Sequence, residues 1–172
     1  MTVGPLRIVT LLLIAFLGSC GYRMVRPDIG EGRSISVPTA INNSSWLGLE
    51  VPLTRGVRAD LQRLLDVRLG SGSHSDLVLK TDIANVGRSS RLALRSGGAA
   101  VGISTLSVHW QLEDSQGNLL GEGNIRRSLE FLTSLEEDAY SAFDELIAEI
   151  AQQIALEVSA QMEQPLIPQE KA

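Results

Sequence analysis

The 172-residue sequence predicts an α+β fold, a two-layer sandwich with two helices on one face of a four-stranded sheet in the order β-α-β-β-β-α. Two stretches carry apolar residues at helical spacing: Leu53, Val57, Leu61, Leu64 and Leu65 in one, and Ala139, Phe143, Leu146, Ile147, Ile150, Ile154 and Val158 in the other. Between them run segments that alternate apolar and polar residues, as half-buried strands do. Each helix is apolar on one side only, so both must share the apolar face of the sheet.

The chain opens with Arg7 and an uncharged apolar run, Ile8 to Leu17, that leads into Leu17-Gly18-Ser19-Cys20. A spanning helix needs about 20 apolar residues, whereas a run near 10 with a basic residue before it and small residues after it reads as a signal peptide. Residues 1–19 are therefore expected to be removed, leaving Cys20 as the first residue of the mature chain. The leucine, small, small, cysteine order resembles the lipobox of bacterial lipoproteins, in which the cysteine thiol takes the lipid. Cys20 is the only cysteine and forms no internal disulfide; its other reading is a buried thiol. Two or more acyl chains would hold the protein firmly at a membrane, at about 0.8 kcal/mol per buried CH₂.

Residues 20–32 read as a lipidated N-terminus and tether, since Pro27 and several glycines interrupt any apolar period. The domain is assigned to 33–162. Ile35 and Val37 alternate with Ser34 and Ser36 in a first strand that Pro38 ends or places at an edge. The first helix is read over Glu50 to Leu69, with Pro52 in its first turn and Gly70 at the left-handed position after its end. Gly70-Ser71-Gly72-Ser73 is then a flexible connection.

In the next strand Leu77, Leu79, Thr81 and Ile83 share a face, but Leu92 and Leu94 have the opposite parity, so a bulge is expected near Asn85 to Gly87. The returning strand shows a similar switch, from Val101 and Ile103 to Leu106, Val108, Trp110 and Leu112. Two matched switches predict a long, bent hairpin with its tip at Ser96-Gly97-Gly98. Asp114-Ser115-Gln116-Gly117 closes a second hairpin, after which Leu119, Ile125, Leu129 and Phe131 face the core. Gly121 and Gly123 leave room for a helix. Ser134 and Glu137 have capping-box spacing ahead of the final helix, which runs to about Met162, and Pro165 and Pro168 mark residues 163–172 as a loose tail.

A net charge of −5 with pI near 5.0 argues against bulk nucleic-acid binding, and 4% aromatic residues leave little for stacking platforms. With two histidines and one cysteine, a zinc site of the usual Cys/His kind cannot be assembled. His109 lies opposite the core parity of its strand and reads as solvated. No nucleophile elbow, phosphate-binding loop or dinucleotide fingerprint is present. The acidic residues Glu113-Asp114 and Glu136-Glu137-Asp138 fall at a turn and a helix start, where carboxylates serve structure. No enzyme and no cofactor are expected, apart from the covalent lipid on Cys20. One cluster stands out: Arg88, Arg91 and Arg95 on the long hairpin, with Arg126 and Arg127 on the next strand. They could bind phosphate or carboxylate, or serve as edge charges that prevent pairing with other chains.

Cys20-Gly21-Tyr22, then Ile35-Ser36-Val37-Pro38 followed by Asn42 or Asn43, then Gly48-Leu49-Glu50 and Leu53-Thr54, resemble the start of the LptE family of lipopolysaccharide-assembly lipoproteins. Ser75-Asp76-Leu77-Val78-Leu79, Leu112-Glu113-Asp114 through Gly117, and Ala139, Leu146, Ile150, Ala151 and Ile154 are similar to its later strands and final helix. The resemblance implies the same α+β fold and no catalysis. It implies a protein that pairs with the outer-membrane β-barrel LptD, plugs its lumen and assists lipopolysaccharide on its way to the outer leaflet. It also implies lipid anchoring in the outer membrane facing the periplasm, with Gly21 rather than aspartate after the lipidated cysteine. The arginines would then meet lipopolysaccharide phosphate. The same architecture also suits an adaptor lipoprotein of another cell-envelope machine.

Replacing Cys20 by alanine is expected to abolish incorporation of labelled fatty acid and to slow removal of residues 1–19. A Cys20→Ala protein that still takes up label refutes the lipobox reading.

Overall fold

The computed structural model describes residues 30, 32–92, 101–132 and 139–163. In chain order these form β1 (Ser34–Ser36), β2 (Ile41–Asn42), α1 (Glu50–Leu65), β3 (Arg68–Leu69), a short 3-10 turn (Gly72–His74), β4 (Leu77–Leu92), β5 (Val101–Asp114), β6 (Leu119–Leu132) and α2 (Ala139–Met162). The fold is the expected α+β arrangement of two helices on a sheet, but the sheet has six strands rather than four. Its order is β3-β1-β4-β5-β6, with β2 also pairing β4. The two extra strands, β2 and β3, are two residues each, too short to leave a period in the sequence.

β1 and β2 run parallel to β4 one after the other, Ile35 opposite Leu77 and Ile41 opposite Asp82. Exposed Pro38 lies in the break between them, where no ladder bond is needed from it. The carbonyl of Val37 in that break accepts from Arg58 Nε at 3.1 Å and Nη2 at 2.6 Å, so α1 satisfies the strand interruption. β1 itself lies between β3 and β4, which is why Ser36 is buried along with Ile35 and Val37.

α1 buries Leu53, Val57, Leu61 and Leu65, and Pro52 sits in its first turn as expected. It ends at Leu65 rather than Leu69, and the left-handed residue is Asp66 (φ 50°), not Gly70. The Gly30 N–H donates to the Leu65 carbonyl at 3.1 Å and stops the helix there, freeing Arg68 and Leu69 to pair with β1. Gly30 is therefore packed onto the domain although the sequence places it in the tether: a Cβ on it would lie 2.2 Å from the Leu65 oxygen. Gly70 is likewise fixed rather than flexible, donating to Ile35 O at 2.9 Å and pressed against Ser75.

The expected bulge occurs in β4, one residue early: the register with β5 slips between Ile83 and Asn85, so Ala84 is the extra residue. The matched switch expected in β5 is absent. Gly102, Ser104, Leu106, Val108, Trp110 and Leu112 all share the buried parity, and the second slip lies in β4 between Ser90 and Leu92. The expected tip at Ser96-Gly97-Gly98 and the capping residues Ser134 and Glu137 lie outside the described residues. The second hairpin closes as expected: Gly117 (φ 83°) donates to Asp114 O at 3.0 Å, and Asp114 donates to Asn118 O at 3.0 Å.

α2 lies across β5 and β6 and beside α1. A Cβ on Gly56 of α1 would sit 3.1 Å from Ala151 Cβ, and one on Gly121 would sit 2.7 Å from Gln161 Cγ, so α2 approaches both neighbours where a side chain is missing. Trp110 lies over Gly123 and donates from Nε1 to Glu157 Oε2 at 2.8 Å. Ile147, Ile150, Ile154 and Val158 complete the core with Leu79, Ile83 and Val108.

Ile150 is fully buried in the middle of this stripe. Ile150→Asp is expected to unfold the domain, because an unpaired buried charge costs several kcal/mol against a total stability of about 5–15 kcal/mol. Loss of the cooperative thermal transition by circular dichroism is the readout; an unchanged melting temperature would show that α2 does not pack through this face.

Candidate functional site

Beyond the bulge at Ala84 the sheet continues as a three-stranded arm. Its helix-facing positions are Val86 and Arg88 on β4, Gly102, Ser104 and Leu106 on β5, and Arg127, Leu129 and Phe131 on β6, as the pairings Arg88 with Ser104 and Gly102 with Phe131 require. The Phe131 ring lies across Gly102, where a Cβ would come within 2.3 Å of it. The Arg88 guanidinium stands 5.3 Å from the ring centroid. Such a contact is worth about 0.5–1 kcal/mol at an exposed site, enough to bias the Arg88 guanidinium towards the Phe131 ring.

Among the described residues, Arg88, Arg126 and Arg127 do not form one patch. Arg88 and Arg127 share the helix-facing side with β5 between them, and Arg127 donates from Nη2 to Gln153 of α2. Arg126, one residue earlier, belongs to the opposite face and is exposed. Arg91 is the extra residue at the second slip of β4, and Arg95 lies outside the described residues, as does Cys20. Arg126 and Arg127 were legible as strand neighbours. The Phe131 seat for Arg88 and the Gln153 partner were not, because both depend on contacts between separate elements; Gly102 opposite an aromatic was the available signal.

The open face of the sheet is mostly polar, with Val78, Val101 and Ile103 among its apolar residues. Lys80 bonds the Glu113 carboxylate at 2.6 and 2.8 Å, and Thr105 Oγ1 meets Ser128 Oγ at 2.9 Å. His109 is half-exposed there, with Nε2 4.0 Å from Glu122, and His74 is exposed at the end of the 3-10 turn. Among the described residues no three His, Cys, Asp or Glu side chains converge as a metal site, and no helix is long and apolar enough to cross a membrane.

The residues that drew attention near the start of the domain hold its parts together. Thr54 Oγ1 donates to Glu50 O at 2.6 Å and accepts from the Ala40 N–H at 2.9 Å, tying α1 to the end of the strand break. The Glu50 carboxylate accepts from Asn42 Nδ2 at 3.0 Å and Gly48 N at 3.1 Å, and hydrogen bonds from the backbone beside it and from Asn42 hold its pKa below the ordinary value. Asn43 Nδ2 bonds both oxygens of Asp82. Asp76 accepts from the Ser34 N–H and hydroxyl, each at 2.8 Å, and these bonds lower its pKa. Asp114 is lowered chiefly by the Asn118 side chain, which donates at 2.8 Å, and by the backbone N–H groups of its own turn.

These features define a small α+β module that displays charged strand surface and spends its motif residues on structure. The match over residues 32–162 to the family model LptE, Lipopolysaccharide-assembly, specifies the class further, and the chain belongs to that family. No match was found among curated proteins. Among solved structures the chain is similar to a hypothetical protein of Chlamydia trachomatis, at 8% identity and TM-score 0.55, covering 77% of this chain and 98% of that one; this likeness is one of fold. Rare lipoprotein B of Shewanella oneidensis matches at 20% identity and TM-score 0.47, covering 76% of this chain and 96% of that one. A minor lipoprotein of Acinetobacter baumannii matches at 20% identity and TM-score 0.47, covering 77% and 97%.

Glu50, Asp76 and Asp114 all have folded-state pKa values below their ordinary ones. Their contribution is fully present above the unfolded value of about 4 and is lost as pH falls through the lowered folded values. The urea midpoint is therefore expected to stay level above about pH 5 and fall steadily below pH 4. Asn118→Ala removes the main donor to Asp114, so it should lower the midpoint at neutral pH and flatten the decline between pH 4 and about 2. Equal slopes in the two proteins would remove Asp114 from the acid response.

Proposed function

We propose that this protein is a non-catalytic lipoprotein of the outer membrane, anchored through lipid on Cys20 and facing the periplasm, that partners and plugs an LptD-like β-barrel during lipopolysaccharide assembly. Membership of the LptE family across residues 32–162, which spans both helices and all six strands, carries this reading. The arm supports it. Two helices cover the sheet near Leu79, Ile83 and Val108, and β4, β5 and β6 continue past the bulge at Ala84 with polar residues on the open face. Such strand surface suits a partner that presents acidic groups or phosphate, which arginine forks bind bidentately. Arg88, Arg126 and Arg127 lie on the arm, on both its faces, and Arg91 follows at the second slip of β4, with Arg95 four residues further along the sequence.

The test is capture from detergent-solubilised outer membranes by the full-length protein. A barrel of the LptD type is expected to co-purify in stable, stoichiometric amount. Charge reversal at Arg91 and Arg95 together should weaken binding to the barrel or to lipopolysaccharide several-fold at low salt, and the difference should shrink at about 1 M salt, where the Debye length is about 3 Å. Wild-type protein that captures no barrel refutes the assignment, and capture unaffected by the double reversal removes the arginine role alone.

A further inference from the structure

We infer that Gly30, Gly32 and Arg33 form a strap whose release lets α1 grow by one turn, from Leu65 to Leu69, in place of β3, so that the protein lengthens its own tether. The use made of that length rests on the lipid anchor at Cys20 proposed above; the switch itself does not.

The strap is fastened at each of its described residues. The Gly30 N–H donates to the Leu65 carbonyl at 3.1 Å, and Arg33 N donates back to Gly30 O at 2.6 Å. Gly32 O accepts from Arg68 Nε at 2.8 Å and from its Nη2, and Arg33 O accepts from Arg68 N at 3.1 Å. Both glycines are needed for this path. A Cβ on Gly30 would stand 2.2 Å from the Leu65 oxygen, and Gly32 has φ 73°, which a side chain disfavours. Ser34 is held differently. Its N–H and hydroxyl donate to Asp76 Oδ2, each at 2.8 Å, and its Oγ accepts from Asp76 N at 3.0 Å. A pull arriving at Gly30 therefore undoes the strap one fastening at a time and stops at Ser34.

The segment under the strap has a second arrangement open to it. Leu53, Val57, Leu61 and Leu65 form the buried row of α1, and Leu69 continues it at the same four-residue spacing, with Gly70 next, where glycine closes a helix. The strapped form blocks that continuation at two points. The Leu65 carbonyl, which the Leu69 N–H would take in a longer helix, is occupied by Gly30, and Asp66 stands at φ 50°, a left-handed conformation unfavourable for a residue with a side chain. Leu69 is left 38% exposed while Val67 is buried beside Gly30. Unfastening the strap reverses each of these. It frees the Leu65 carbonyl, opens the space beside Val67, and allows Asp66 a right-handed conformation and Leu69 the next place in the buried row.

The strap then joins the tether, whose exit from the domain moves from Gly30 to Ser34. That adds about 13–14 Å of reach, at about 3.3–3.6 Å per extended residue. A domain whose arm enters a partner while its lipid stays in the bilayer needs such slack, and the added helical turn offsets the bonds given up.

The Leu69 amide tells the two forms apart. Parallel strands bond through alternate residues; Arg68 N bonds Arg33 O and Gly70 N bonds Ile35 O, so Leu69 turns its N–H away from β1, and β3 is the last strand on that side. In the longer helix the same N–H bonds Leu65 O. Hydrogen exchange is followed on full-length protein in detergent micelles, alongside trypsin cleavage after Arg33. Gly30→Val cannot seat, so it should slow exchange at Leu69 at least about tenfold and speed cleavage after Arg33 by a similar factor. Asp66→Ala should move both in the same directions, and Asp66→Gly, which suits the left-handed conformation, should move neither; these two variants carry the test if Gly30→Val does not fold. Faster cleavage without added protection at Leu69 would mean that α1 frays instead of growing, and it overturns the inference, as does equal protection at Leu69 in all the proteins. Exchange is read on the free protein, so this outcome is separate from the capture experiment.

Discussion

Everything else in this fold depends on α2 lying flat against both the sheet and α1. Its stripe from Phe143 to Val158 supplies much of the buried surface, at roughly 1.5–3 kcal/mol for each large side chain removed from water. The approach is close enough that backbone stands where side chains would be, at Gly56 facing Ala151 and at Gly121 facing Gln161. The sheet in turn holds still for the helix because Trp110 lies over Gly123 with its N–H bonded to Glu157. An indole with an unpaired buried N–H would be destabilising, so one contact satisfies Trp110 and sets the position of α2 along β6.

That same use of glycine explains where the sequence misled. Val101 and Ile103 are apolar and suggest a core-facing parity, yet Gly102 and Ser104 occupy the inner positions of β5. The apolar residue that fills this part of the inner face is Phe131, which sits across Gly102 from the neighbouring strand. A period is read along one strand, whereas packing is shared across two, so a small residue opposite an aromatic inverts the apparent pattern. In β4 the bulge is present, with Leu77, Leu79 and Ile83 in the core before it, but Leu92 does not share the switched parity that suggested it, since a second slip pairs it with Val101. The two helices were legible because each carries its own buried stripe.

The short elements were hidden for a different reason. β2 and β3 are held by pairing to β4 and β1 and by hydrogen bonds from distant residues, none of which leaves a local signature. Leu69 looked helical by spacing, and the donor that ends α1 is Gly30, thirty-five residues before Leu65. The junction residues were visible as a motif without a visible job. Thr54, Glu50 and Asn42 turn out to join α1 to the broken edge strand, and Asp76 with Ser34 joins the start of β1 to that of β4. A pattern shared with a family can thus mark the hinges of a fold rather than its binding surface.

The arginines show the converse. Their number was readable, but their grouping was not, because strand parity separates Arg126 from Arg127 and the bulge at Ala84 moves Arg88 to the helix-facing side. Without that extra residue Arg88 would point to the open face and Phe131 would lose its cation. The bulge also ends the pairing of β4 with β2, since Asn42 meets Ile83 at the last register position before the slip. A single inserted residue therefore does two things at once. It releases the outer half of β4 from its parallel neighbours, and it sets Arg88 on the helix-facing side with Arg127, leaving Arg126 on the other. Among the described residues the positive charge of the arm is thus spread over two faces instead of gathered at one point, and a single anion could not be held by all of it at once.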